Sequence, residues 1–112
     1  MADRTTIDLL QGTLGTLILK SLQRAPLHGY AIARVIEQMT GDEVLVEDGS
    51  LYPALHRLQA MGLLTSAWGV SETGRRVKRY TITEQGRAQL RAESNRWLRF
   101  SSAVTKALGT RG

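Results

Sequence analysis

Apolar residues along this chain recur first at helical spacing and then, beyond Gly62, at strand spacing. From Leu9 to Gln23, the residues Leu10, Leu14, Leu17, Ile18 and Leu22 fall three and four apart, which predicts a helix with one buried face. Gly12 and Gly15 each cost such a helix about 1 kcal/mol relative to Ala, so they are expected where another backbone packs closely. The helix must stop before Pro26, because the residue ahead of a proline disfavours the helical region. A second helix is predicted from about Gly29 to Thr40, burying Ile32, Ala33, Ile36 and Met39 and closed by Gly41. His28 lies at the connection. A solvated or capping role is the ordinary one for a histidine there, with a phosphate contact or a proton-transfer role as the functional alternatives.

A third helix is predicted within Glu47 to Leu64, with its apolar stripe at Leu51, Leu55, Leu58 and Gly62. Pro53, His56, Arg57 and Ala60 then project away from the stripe, with Ser50 and Tyr52 flanking them near the N-terminus. A proline is harmless in the first turn of a helix but removes a hydrogen bond and clashes further in. Pro53 therefore puts the cap near Gly49 or Ser50 and leaves N–H groups around Ser50 and Leu51 as a seat for phosphate. An exposed face of small, aromatic and hydrogen-bonding groups suits a DNA major groove, although an ordinary amphipathic helix has the same pattern. Before it, Asp42 to Asp48 could form one small strand or simply lead into the helix. Asp48 is placed for capping, Asp42 and Glu43 should face water, and no His lies at ligand spacing, so no metal site is expected.

The period then changes. Leu63 to Val70 and Val77 to Thr83 are predicted strands, with Leu64, Trp68, Tyr80 and Ile82 facing inward. Ser71 to Arg75 form a turn-rich connector, and Arg75, Arg76, Lys78 and Arg79 charge the hairpin. Such a hairpin beside an open helix face can meet the DNA backbone; charging an edge against aggregation is the alternative. Thr83 caps a last helix running from Glu84 to about Leu108. Trp97, Phe100, Val104 and Leu108 form a sparse seam on it, with Leu90 upstream. A helix so long cannot bury that seam against so small a body, which predicts pairing with a second copy. Residues 109–112 should fray.

Charge sharpens this picture. The 112 residues carry a net charge of +5, but residues 1–48 hold 4 basic and 7 acidic side chains while residues 49–112 hold 11 and 3. The basic half begins at the third helix, and an anionic partner follows, nucleic acid ahead of a membrane surface. The absence of Cys excludes disulfides, thiolate metal sites and thiol catalysis. No secretory signal or membrane-length apolar run is present in the sequence, so a cytoplasmic protein with no membrane partner is expected. The His and Ser residues form no nucleophile–base–orienter pattern and the glycines no phosphate-binding loop, so neither an enzyme nor a cofactor is expected.

Three helices, a basic hairpin and a long final helix are the winged helix-turn-helix plan, an α+β, mainly helical fold. The segments LLQGTLGTLILKSL, HGYAIARVIEQMTG, EDGSLYPALHRLQAMGLL and RRVKRYTITEQGRAQL closely resemble the PadR-like family of bacterial transcriptional regulators, over residues 8 to about 108. GSLYPALHRL and the combination of HGY, GSLYPAL and KRYTIT carry the specificity. The resemblance implies a DNA-binding unit at residues 1–83 and a dimerisation helix at 84–112. It further implies a homodimeric repressor on an inverted-repeat operator in double-stranded DNA, released by an effector. Ser50, Leu51, Tyr52 and Pro53 match the start of the family's recognition helix, to which the helical projection adds His56 and Arg57, Arg57 being the expected guanine reader. Tyr30 matches a backbone-contacting or core-bracing tyrosine, and with His28 it completes the other backbone contacts. Arg76, Lys78 and Arg79 match the wing, joined by Arg75; a second aromatic is common in the family where Arg79 stands, so Arg79 either meets phosphate or covers a surface. Trp97 matches an aromatic position that in some small members sandwiches a flat aromatic effector at the dimer centre. Packing alone is the competing role, and the one aromatics at interfaces favour. The rival from another class is a winged-helix module that dimerises and binds a protein without touching DNA.

Overall fold

The computed structural model describes the backbone of residues 4–109 and the side chains of residues 13–109. In chain order the elements are α1 (Arg4–Ser21), β1 (Leu27–His28), α2 (Gly29–Met39), α3 (Asp48–Ala60), β2 (Leu64–Val70), β3 (Arg76–Ile82) and α4 (Glu84–Leu108). The strands form one antiparallel sheet in the order β1-β3-β2. This is a winged helix-turn-helix with a long last helix. The seam residue Leu10 and the packing glycine Gly12 lie outside the described side chains, and residues 110–112 lie outside the described backbone.

The predicted stripes meet in one core. Leu14, Ile18 and Leu19 of α1 with Leu22 just after it, Ile32, Ala33 and Ile36 of α2, and Leu51, Ala54, Leu55 and Leu58 of α3 are all buried. Leu64, Tyr80 and Ile82 close the core from the sheet, and Leu90 from α4. Met39, expected inside, is exposed at the end of α2. No backbone packs against Gly15 as expected: the nearest atom to a Cβ built there is in the Leu58 side chain, at an ordinary contact distance of 3.6 Å.

Both helices of the turn motif stop in the same way. Asp42 N–H reaches back to Glu37 C=O at 2.8 Å, and Leu63 N–H to Leu58 C=O at 2.9 Å. Gly41 and Gly62, at φ 58° and 79°, supply the left-handed residue each reversal requires. Gly62 is thus a terminator rather than a member of the stripe. Residues 42–47 form no strand. They are fastened by the buried carboxylate of Glu37, whose Oε2 accepts from Val46 N–H at 3.2 Å while its Oε1 pairs with Arg34 at 3.0 Å.

The start of α4 is knitted to the end of α3. Thr83 Oγ1 donates to Gly62 C=O at 2.8 Å and accepts from Gly86 N–H at 2.9 Å, while Thr83 N–H donates to Leu63 C=O at 3.1 Å. A side chain at Gly86 would collide with the Leu63 carbonyl, so only glycine lets the helix lie this close. Arg87 adds a tie to Gln23 C=O at 3.1 Å. Past Leu90 no described side chain of α4 is buried. No described helix is long and apolar enough to cross a membrane.

Candidate nucleic-acid interface

The third helix begins earlier than its proline suggests. Glu47 is the N-cap, without a side-chain capping bond, and the carbonyl of Glu47 accepts from both Ser50 N–H at 3.0 Å and Leu51 N–H at 2.9 Å. The expected phosphate seat at Ser50 and Leu51 is therefore taken. Helix geometry moves the free N–H groups to Asp48 and Gly49. Pro53 falls in the second turn, where its missing N–H deprives the Gly49 carbonyl; both residues are exposed, so water can serve that group instead. Leu51, expected among the DNA contacts, is fully buried and presents no side chain to a ligand. Tyr52, Pro53 and His56 are exposed and Ser50 half-buried.

Arg57 stands apart from these. It turns about 100° from His56 and lines a cavity of about 180 Å³ between α1, α3 and α4, together with Gly15, Leu58, Gln89 and Glu93. Like them it is exposed, and it flanks their face rather than crowning it.

Tyr52 does more than project. Its ring lies over Gly29, the first residue of α2, where an added Cβ would stand 2.5 Å from Oη and 2.9 Å from Cζ. With a Cβ at position 29 the ring could not keep this place. Burial, with a smaller electrostatic contribution from the Tyr52 phenol, pushes the Tyr80 hydroxyl of β3 above its ordinary value of 10.0. Lys78 Nζ lies 6.0 Å from the Tyr80 ring. The exposed side of α3 and the start of α2 thus meet at Tyr52 over Gly29, while Lys78 ties the wing to the buried Tyr80.

His28 caps α2, its Nδ1 accepting from Ala31 N–H at 3.3 Å, and so fills the ordinary role foreseen for it. It also pairs with Arg79 in the two-residue strand β1. Tyr30 is 70% exposed and stacks beside His28 at 6.4 Å, which excludes the core-bracing role.

The wing has two different faces. Its register sets Trp68 opposite Lys78 and Val70 opposite Arg76, on the face that Tyr80 and Ile82 continue into the core. Trp68, expected to point inward, is on the inward face but beyond the reach of the helices, and is 58% exposed. Arg76 sits over its indole at 4.7 Å and Lys78 at 5.9 Å. Arg79 belongs to the opposite face, its guanidinium crossing Gly69, so of its two expected roles the surface-covering one has a visible contact. Arg75 is exposed at the turn, which Ser71 closes by accepting from Arg75 N–H.

On α4, Trp97, Phe100, Val104 and Leu108 are exposed, with Trp97 and Phe100 at 6.2 Å. Leu98 is a further exposed apolar group that spacing alone passed over. Gly29, Glu37, Trp68 and Thr83 were also not singled out for a role at the site. The DG and HGY segments flag tight local geometry, but nothing in a linear pattern says that Gly29 faces Tyr52. Among the described residues no three His, Asp or Glu side chains gather as a metal site would require.

The family model described as "Transcriptional regulator PadR-like family" matches residues 18–92. A 37.1 kDa protein of a Streptomyces fradiae transposon is 40% identical over 79% of this chain, and the transcriptional regulator YqjI of Escherichia coli is 35% identical over 76%. The chain spans only 24% and 38% of the length of those two relatives. Among solved structures, a transcriptional regulator from Clostridium thermocellum superposes with a TM-score of 0.79 at 28% identity, covering 88% of this chain and 96% of its own. A PadR family transcriptional regulator from Eggerthella lenta gives 0.76 at 31% identity, covering 96% and 91%.

Proposed function

Because the chain belongs to the PadR-like family of transcriptional regulators, we propose that it is a homodimeric repressor which binds an inverted-repeat operator in double-stranded DNA. Two copies clasp through the exposed part of α4, with Trp97, Leu98, Phe100, Val104 and Leu108 at the interface. Each α3 enters a major groove, and successive grooves on one side of a duplex lie about 34 Å apart. Ser50, Tyr52, Pro53 and His56 meet the groove, and the Asp48 and Gly49 N–H groups face phosphate. Arg75, Arg76 and Lys78 fix the register on the backbone. His28 and Tyr30 stand beside that path, while Arg57 and Arg79 flank it. A flat aromatic effector taken up between the two Trp97 rings would change the spacing of the helices and release the operator. The protein works in the cytoplasm, where its DNA is.

The observation that carries this reading is the pairing of an exposed α3 face, where Tyr52 lies over the start of α2 at Gly29, with a hairpin that presents Arg76 and Lys78. Footprinting on the DNA upstream of its own gene tests it. Two protected half-sites, centred one helical turn or a multiple of it apart, are the expected result. A chain that binds neither that DNA nor a random duplex at low salt is a protein-interaction module instead, and the repressor reading fails.

A further inference from the structure

An exposed tryptophan on a β-hairpin, capped by two cations, is an unusual use of a large apolar ring. Trp68, Arg76 and Lys78 share one face of the wing by register, and the two cations lie at 4.7 and 5.9 Å from the indole centre. The ion pairs recorded among the described residues are Arg34 with Glu37 and Arg96 with Glu93, so no carboxylate partner holds either wing cation. Arg79, on the other face, has no part in the stack.

The geometry points to Trp68 as a positioning residue: its ring holds Arg76 and Lys78 in the arrangement in which they meet DNA phosphates. The inference rests on the DNA-binding reading above. Arg and Lys are rotamer-rich, and freezing them at an interface opposes binding. A ring that already gathers them in the free protein removes part of that loss, as preorganisation does. Trp68 itself need not touch DNA.

The full chain, titrated with a random-sequence duplex over a range of salt, tests this with W68L, W68Y, R76A and the W68L/R76A double variant. W68L should weaken binding about two- to five-fold, the size of an exposed cation–π contact. Its salt slope should match the wild type, since both cations still neutralise phosphates. R76A should flatten the slope by about 0.9. The double variant should lose less than the product of the two single losses, and W68Y, which keeps a weaker ring, should fall between W68L and the wild type. Without DNA, the Arg76 δ protons should be shifted upfield by the indole and return to ordinary values in W68L. A wild type that binds while W68L binds equally well overturns the positioning role alone. So does a fully multiplicative double variant, which would make Trp68 a direct contact, or an Arg76 without the shift. A wild type that shows the shift but binds no duplex overturns the DNA reading and this role with it.

Discussion

Replacing Gly29 by Ala puts a methyl group where the Tyr52 ring lies. The new Cβ would stand 2.5 Å from Oη, 2.9 Å from Cζ and 3.0 Å from Cε1, too close for any of the three to stay. The obstacle is the far end of a side chain that is already 39% exposed, so the ring can swing outward while the backbone holds. Part of an aromatic contact is lost, about 1 kcal/mol by area. Against this, Ala is preferred to Gly in a helix by up to about 1 kcal/mol, and Gly29 opens α2. The two nearly cancel, so the thermal midpoint should barely move. DNA binding should not be spared: a hydrogen bond to a charged acceptor is worth about 1.5–3 kcal/mol, and misplacing the Tyr52 hydroxyl should weaken binding roughly ten- to a hundred-fold. Fluorescence anisotropy with an operator duplex and a circular-dichroism melt on the same samples read both quantities. In a Y52A background the Gly29→Ala change should have no further effect on affinity. A large drop in stability, unchanged affinity, or an equal effect with and without Tyr52 would refute the reasoning.

Glu37→Ala leaves Val46 N–H without its acceptor and should cost about 1–3 kcal/mol in urea unfolding, whereas Glu37→Gln should cost less because an acceptor oxygen remains. Thr83→Val removes both the α4 cap and the bond to Gly62 C=O, for a loss of about 2 kcal/mol; Thr83→Ser, which retains the hydroxyl, should stay close to the wild type in the same melts. The Tyr80 hydroxyl titrates above 10.0 in the folded chain because burial disfavours its anion. Its contribution to stability is therefore complete below the unfolded value of about 10 and is lost as pH rises through the folded one. The melting temperature should fall more steeply above pH 10 in the wild type than in Y80F, and equal alkaline slopes would contradict the assignment.

The helices and the hairpin were legible because their apolar periods are long enough to repeat. Leu51, Leu55 and Leu58 declare the buried side of α3 at helical spacing, and Thr83 declares the start of α4. β1 has two residues and hence no period to read. The start of α3 was placed too late because proline has a preference for the first turn and is not a fixed marker of it. The helix here begins at Asp48 and carries Pro53 in its second turn, where the deprived Gly49 carbonyl is exposed to water. Trp68 was placed on the right face of the hairpin, but alternation does not say where the helices beneath it end. Met39 failed likewise, at the end of α2, where the core has already run out. At Leu51 the periodicity and the resemblance disagree, and the periodicity is right: the residue belongs to the buried stripe of α3. The pairing of Gly29 with Tyr52 joins residues 23 positions apart and is visible only once the chain is folded.

The junction of Thr83 and Gly86 with Gly62 and Leu63 leaves almost no play between α4 and the end of α3. α4 is 25 residues long, about 37 Å at the usual rise. Pivoted at its far end, such a rod moves its near end by about 3 Å for a tilt of roughly 5°, close to the rise of a single base pair. A pair of chains gripping each other near Leu108 would therefore behave like calipers, and a small hinge movement at the grip would throw both tips out of step with the duplex.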